Sequence, residues 1–109
     1  MNLVFKALAD PTRRHVLELL RARPMTAGEL SDHFPVSKPT MSAHFAVLRE
    51  ANLVDAHKAG KTVTYRLKLS VLEEALLGFA GAFGMLAGAK PADPPAAAAA
   101  APVQKGTQP

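Results

Sequence analysis

From Asn2 to Asn52 the apolar positions recur three and four residues apart, and beyond Asn52 the period drops to two. The first pattern predicts helices and the second strands. Residues 2–9 read as a short helix with Val4, Phe5 and Leu8 on one side. Asp10-Pro11 is a helix start, with Asp as N-cap and Pro where a missing N–H costs nothing. Val16, Leu19 and Leu20 form the stripe of the helix that follows, which stops before Pro24. Thr26-Ala27-Gly28-Glu29 is a capping box that opens a short helix over 27–33. Ser37-Lys38-Pro39 starts another over 38–51, whose stripe is Met41, Phe45 and Leu48. Leu53 to Lys58 and Thr62 to Leu67 then alternate as strands around Ala59-Gly60-Lys61, a hairpin. Ser70-Val71-Leu72-Glu73 is a second capping box and opens the last helix.

Two helices joined by a few residues and followed by a hairpin have the anatomy of a winged helix-turn-helix. The expected class is mostly α with a small β-hairpin, in the order ααααββα. Opposite the stripe of helix 38–51 lie Pro39, Thr40, Ser42, Ala43, Ala46 and Val47, with Lys38 and His44 on the flanks. A helix that needed only solubility would carry Glu and Lys there. This row is small, hydroxylated and able to approach a base edge, and a major groove about 12 Å wide admits one helix.

Charge strengthens that picture. The net charge is +4, and residues 36–68 supply all of it: Lys38, Arg49, Lys58, Lys61, Arg66 and Lys68 against Glu50 and Asp55. A basic segment that coincides with helix, turn and wing points to phosphate contact. The candidate DNA-binding residues are Thr26, Lys38, Pro39, Thr40, Ser42, Ala43 and His44, with Lys58, Lys61 and Arg66 on the wing. The alternative is a winged-helix module that binds protein and does not read DNA sequence.

Composition sets the outer limits. The chain has 109 residues, 49% of them apolar, and no cysteine, which excludes disulfides, thiolate metal sites and a cysteine nucleophile. Its longest uncharged helical stretch, 75–89, is short of the roughly 18–20 residues of a membrane span. The N-terminus lacks the pattern of a signal peptide, so a cytoplasmic location is expected. Residues 89–109 are mostly Ala and Pro, with one large aliphatic residue, Val103. They are expected to form a disordered tail behind a single domain over 1–88. A Gly-rich phosphate loop, a nucleophile beside a base and a carboxylate pair in an apolar setting are all missing, so an enzyme is not expected.

The last helix repeats Leu72, Leu76, Phe79, Phe83 and Leu86 at 4-3-4-3, beside Gly78, Gly81, Gly84 and Gly88. A fold this small cannot bury that seam together with Val4, Phe5 and Leu8. The economical solution is a two-fold dimer pairing the first and last helices.

Three segments carry a resemblance to a known family: Ala7-Leu8-Ala9-Asp10-Pro11-Thr12-Arg13-Arg14, the run from Ser37 to Val54, and Lys58-Ala59-Gly60-Lys61 with Tyr65-Arg66-Leu67. Together they resemble the ArsR family of bacterial winged-helix repressors, and within it the SdpR-like autorepressors, over about residues 2–87. The resemblance implies a homodimer that binds an operator palindrome and represses transcription. It implies His, Arg or Gln where this chain has Ala43, so one base-edge hydrogen bond is expected to be lost. Thiolate sensors of the family place cysteines where this chain has Thr26, Gly28 and Ser31, and the last helix carries no His. No metal and no cofactor are therefore expected, and an effector, small molecule or protein, is left open.

Overall fold

Asn2 opens helix α1 (Leu3–Leu8) by accepting the backbone N–H of Val4 at 2.7 Å. Asp10 does the same for α2 (Pro11–Ala22), accepting from Arg13 N–H at 3.0 Å, with Pro11 in the first turn. The computed structural model describes residues 2–85. It divides the chain into two compact units, Met1–Glu73 and Glu74–Pro109. Leu86, Gly88 and the Ala/Pro stretch 89–109 lie outside the described residues.

The elements follow in the order α1, α2, β1 (Met25–Thr26), α3 (Ala27–Ser31), α4 (Lys38–Glu50), β2 (Val54–Ala59), β3 (Thr62–Leu67) and α5 (Leu69–Ala82). The strands form one antiparallel sheet, β1-β3-β2. Mostly helical architecture with a hairpin is thus as expected, but β1 is an addition. Met25 and Thr26 pair with Tyr65 and Thr64, extending the hairpin to three strands. Burial of Met25 and Tyr65 fixes that register.

The core of the first unit is built by Val16, Leu30, Met41, Leu48 and Leu53, all essentially inaccessible to solvent. On α2 the buried row is Val16, Leu17 and Leu20, while Leu19 is only half-buried. Phe45 of α4 meets Tyr65 of β3 with ring centroids 4.7 Å apart, so the sheet backs the longest helix of this unit. Burial pushes the Tyr65 phenol above its ordinary pKa, against the pull of the Arg49 charge.

Several boundaries differ from the sequence expectation, each for a local reason. Helix α4 ends in a Schellman motif: Leu53 N–H reaches Leu48 O at 3.1 Å and Asn52 N–H reaches Arg49 O at 2.9 Å. Asn52 takes the left-handed conformation this requires, φ 62°. Leu53 is thereby spent on the helix end, and β2 starts at Val54 and runs to Ala59. The turn then has two residues, Gly60-Lys61, not three, with Gly60 at φ 62° as a type II′ turn needs. Finally, α5 begins at Leu69, where Val71 and Leu72 N–H groups reach Lys68 O, so Ser70 lies inside the first turn instead of capping it.

In the second unit α5 ends at Ala82. Met85 N–H bonds Ala80 O at 2.8 Å and Gly84 N–H bonds Gly81 O at 3.1 Å, with Gly84 at φ 72°. This is again a Schellman end, so Gly84 stops the helix; the expected seam does not run through it as one continuous helix. The Phe79 and Phe83 rings meet at a tilt of 46° with centroids 4.8 Å apart, and the two residues are 45% and 70% exposed. Leu76, Leu77 and Met85 are exposed as well.

Candidate nucleic-acid interface

Ser37 organises the start of α4. Its Oγ accepts Thr40 N–H at 3.2 Å and donates to Thr40 Oγ1 at 2.9 Å. With its oxygen already accepting, the Thr40 hydroxyl has its own proton to give, which suits a phosphate oxygen or a guanine acceptor. Lys38, Pro39, Thr40, Ser42, Ala43 and Ala46 are exposed, Val47 is half-buried, and Met41, Phe45 and Leu48 are buried beneath them. No acid occurs in the first turn, so the positive helix end and the Lys38 ammonium act in the same direction.

Helix α3 precedes α4 by a tight turn in which His33 and Phe34 N–H groups bond Leu30 and Ser31 carbonyls. The helix is shorter than the expected 27–33, because those i to i+3 bonds tighten its end. Thr26 and Glu29 satisfy the capping box reciprocally: Thr26 Oγ1 accepts Glu29 N–H at 3.0 Å, and Thr26 N–H donates to Glu29 Oε1 at 2.9 Å. That backbone N–H holds the Glu29 carboxyl below its ordinary pKa despite desolvation, and Arg23, 3.6 Å away, adds to the effect. Thr26 is half-buried, and its hydroxyl proton is directed by an oxygen already engaged as acceptor.

On the wing, Lys58, Lys61 and Arg66 are exposed, as is His57. Lys61 occupies the turn, and Lys58 stands opposite Val63. Arg66 stands opposite Asp55, a cross-strand pair of opposite charge. Lys68 is not part of the wing surface: its Nζ donates to Asn52 Oδ1 at 2.7 Å.

His44, expected on the flank of that row and among the DNA-binding candidates, is turned toward α2. Its side chain is only 16% exposed, because its Nδ1 faces the start of α2, 3.1 Å from Arg13 NH1 and 3.9 Å from Asp10 Oδ2. Arg13 also donates from Nε to Ala7 O at 2.8 Å and from NH2 to Lys6 O at 3.0 Å, and Arg14 NH1 donates to Leu8 O at 2.7 Å. Two consecutive arginines thus cap the last carbonyls of α1. Sequence reasoning took the Asp-Pro-Thr-Arg-Arg run only as a helix start and a family mark. The signal was the pair of arginines one turn beyond an N-cap that follows a six-residue helix. Desolvation raises the Asp10 pKa, but the Arg13 N–H, the His44 ring when it is protonated, the Arg13 charge and the Thr12 N–H outweigh it and hold the carboxyl low.

Among the described residues no group of three or more His, Asp or Glu side chains is placed to hold a metal ion, and no helix is long and apolar enough to cross a membrane.

Comparison with known proteins agrees with this geometry. Residues 8–57 match a family model described as a helix-turn-helix domain. The chain is 43% identical over 76 residues to the transcriptional repressor SdpR of Bacillus subtilis, covering 70% of this chain and 84% of that protein. It is 34% identical to an arsenical resistance operon repressor of Staphylococcus xylosus, covering 67% of this chain and 70% of that one. The crystal structure of an ArsR family transcriptional regulator superposes with a TM-score of 0.71 at 31% identity, over 77% of this chain and 87% of that one. These relatives are transcriptional regulators, not enzymes.

Proposed function

Because the chain belongs to the ArsR family of winged helix-turn-helix transcriptional repressors, we propose that it represses transcription as a homodimer on an inverted-repeat operator in duplex DNA. The observation that carries the reading is the exposed face of α4, hydroxylated and free of acid through its first turn, preceding a hairpin with lysines at and beside its tip. Pro39, Thr40, Ser42 and Ala43 face base edges, and Ala43 offers a thymine methyl only an apolar contact. Lys38 and Thr26 meet phosphates. Lys58, Lys61 and Arg66 follow the backbone from the wing.

Exposed apolar side chains on α5 support the dimer. Its interface uses Leu72, Leu76, Phe79, Phe83 and Leu86, together with Val4, Phe5 and Leu8 of α1. Of the α1 set, Val4 is already buried within its own protomer, so Phe5 and Leu8 contribute the accessible area. Two recognition helices related by a two-fold axis read half-sites about 34 Å apart. With no cysteine in the chain and no group of three or more His, Asp or Glu placed to hold a metal among the described residues, zinc, copper and arsenite are expected to leave operator affinity unchanged within a factor of about two. The protein acts in the cytoplasm, where its DNA is.

The deciding experiment is a mobility-shift series at about 150 mM salt with DNA from upstream of the protein's own coding sequence and with random duplex of equal length. A shifted complex with a preferred inverted repeat is expected. Equal affinity for both duplexes overturns the reading and favours a module that binds protein.

A further inference from the structure

Asp10, Arg13 and His44 meet where α1 ends, α2 begins and α4 passes. All three nitrogens of the Arg13 guanidinium are engaged, two on the α1 carbonyls of Lys6 and Ala7 and the third on His44 Nδ1 at 3.1 Å. A guanidinium only donates and keeps its charge. His44 must therefore accept with Nδ1, which requires a neutral ring with its proton on Nε2. Protonation turns Nδ1 into a donor facing a cation, and the contact is lost. The nearest acceptor is then Asp10 Oδ2 at 3.9 Å, which already accepts Arg13 N–H as the cap of α2.

His44 directly follows Ser42 and Ala43 on α4, so its anchorage sets how those residues are presented. We propose that His44 is a positioning residue of the recognition helix, whose neutral Nδ1 ties α4 through Arg13 to the α1–α2 corner, and that its protonation loosens sequence reading. This rests on α4 being the DNA-reading helix. The groups facing the ring are the Arg13 guanidinium from α2, the Asp10 carboxylate from the α1–α2 junction and, behind Arg13, the backbone carbonyls of α1. On α4 the nearest charged side chains are Arg49 and Lys38, more than a turn away in either direction.

The test compares affinity for a duplex selected from a random pool by the wild-type protein at about pH 8 with affinity for a scrambled duplex, at about pH 8 and about pH 5.5, since imidazole changes charge in that range. Added positive charge sustains phosphate attraction to any duplex, so the loss falls on the selected one. The selected-to-scrambled ratio is expected to drop about tenfold on acidification, equivalent to about 1.4 kcal/mol. His44→Asn, which offers an amide oxygen in the region of Nδ1 and does not titrate, should hold the wild-type ratio at both pH values. His44→Leu should show the low ratio at both. A flat wild-type ratio, or a His44→Asn ratio that falls like wild type, overturns the proposal. Long-range proton–nitrogen spectra of the free protein at about pH 8 give a readout independent of DNA: the Nε2–H tautomer is expected, and the Nδ1–H tautomer overturns the proposal. A pool that yields no preferred duplex overturns the DNA reading and the coupling with it, while the tautomer still tells whether the Arg13–His44 contact forms.

Discussion

Lys68 Nζ donates to Asn52 Oδ1 at 2.7 Å, joining the residue that follows β3 to the residue that ends α4. Leu53 O also accepts Lys68 N–H, at 2.8 Å. The hairpin is therefore closed at its base onto the C-terminal end of α4.

Asn52 separates two contributions at this joint. Its left-handed backbone costs about 1–2 kcal/mol for a residue with an ordinary Cβ. Asn52→Ala should lower stability by about that much, whereas Asn52→Gly should cost well under about 1 kcal/mol, since only the exposed Lys68 contact is lost. Urea unfolding of the two variants decides it. Equal losses would place the energy in the Lys68 contact and not in the backbone.

Reading and steering should divide between α4 and the wing. Lys61→Ala is expected to weaken binding to every duplex alike and to reduce the slope of log affinity against log salt by about one. Thr40→Val or Ser42→Ala should cost about 1–3 kcal/mol on the preferred duplex and little on random DNA. Filter binding across a salt series separates the two behaviours. A uniform loss in all three variants would move the reading face elsewhere.

Acid should weaken the start of α2. The Asp10 carboxyl is held below its ordinary pKa, so the stability it contributes is fully present above the ordinary carboxylate value and is lost as pH falls through the lowered one. Asp10→Asn keeps a capping oxygen but not the charge, so at neutral pH it should already show the lower stability that wild type reaches in acid, and it should lack this part of the acid loss. Asp10→Ala should cost about 1 kcal/mol at neutral pH. Thermal unfolding monitored from neutral pH to about pH 3 checks both.

The glycines of α5 distinguish the helix from its proposed partner. A Cβ built at Gly78 or Gly81 meets no heavy atom within 4 Å among the described residues. Gly→Ala at either site should therefore raise intrinsic helix stability by about 1 kcal/mol, yet loosen a dimer whose backbones approach closely there. Phe79→Ala should shift the protein toward monomer by removing about 1.5–3 kcal/mol of burial per copy. Sedimentation velocity at several concentrations reads all three. A dimeric, fully active Phe79→Ala protein would place the interface elsewhere.

Three helix starts made by a side chain were legible in the sequence, since Asp10, Thr26 and Ser37 each cap as their spacing predicts, whereas the Asn2 cap fell inside the expected helix 2–9. Ser70 misled because the carbonyl of Lys68 opens α5 and a capping box pattern also fits within a first turn. Strand β1 has two residues and no periodicity; only its pairing with β3 makes it a strand. Gly84 stood among the glycines beside the seam with nothing to set it apart, because its left-handed φ, which ends α5, is a property of the folded chain. The small, hydroxylated row of α4 was legible, since one face of one helix follows from spacing alone. The turn of His44 toward α2 was not, because it depends on Arg13, 31 positions earlier in the chain.

Thr26 belongs to two structures at once, the ladder with Thr64 and the capping box of α3. The hairpin and the first helix of the helix-turn-helix thus share one residue as a common pivot. A two-residue strand that runs straight into a capped helix leaves no connecting loop between the sheet edge and α3: Met25 and Thr26 are strand, and Ala27 is already helix.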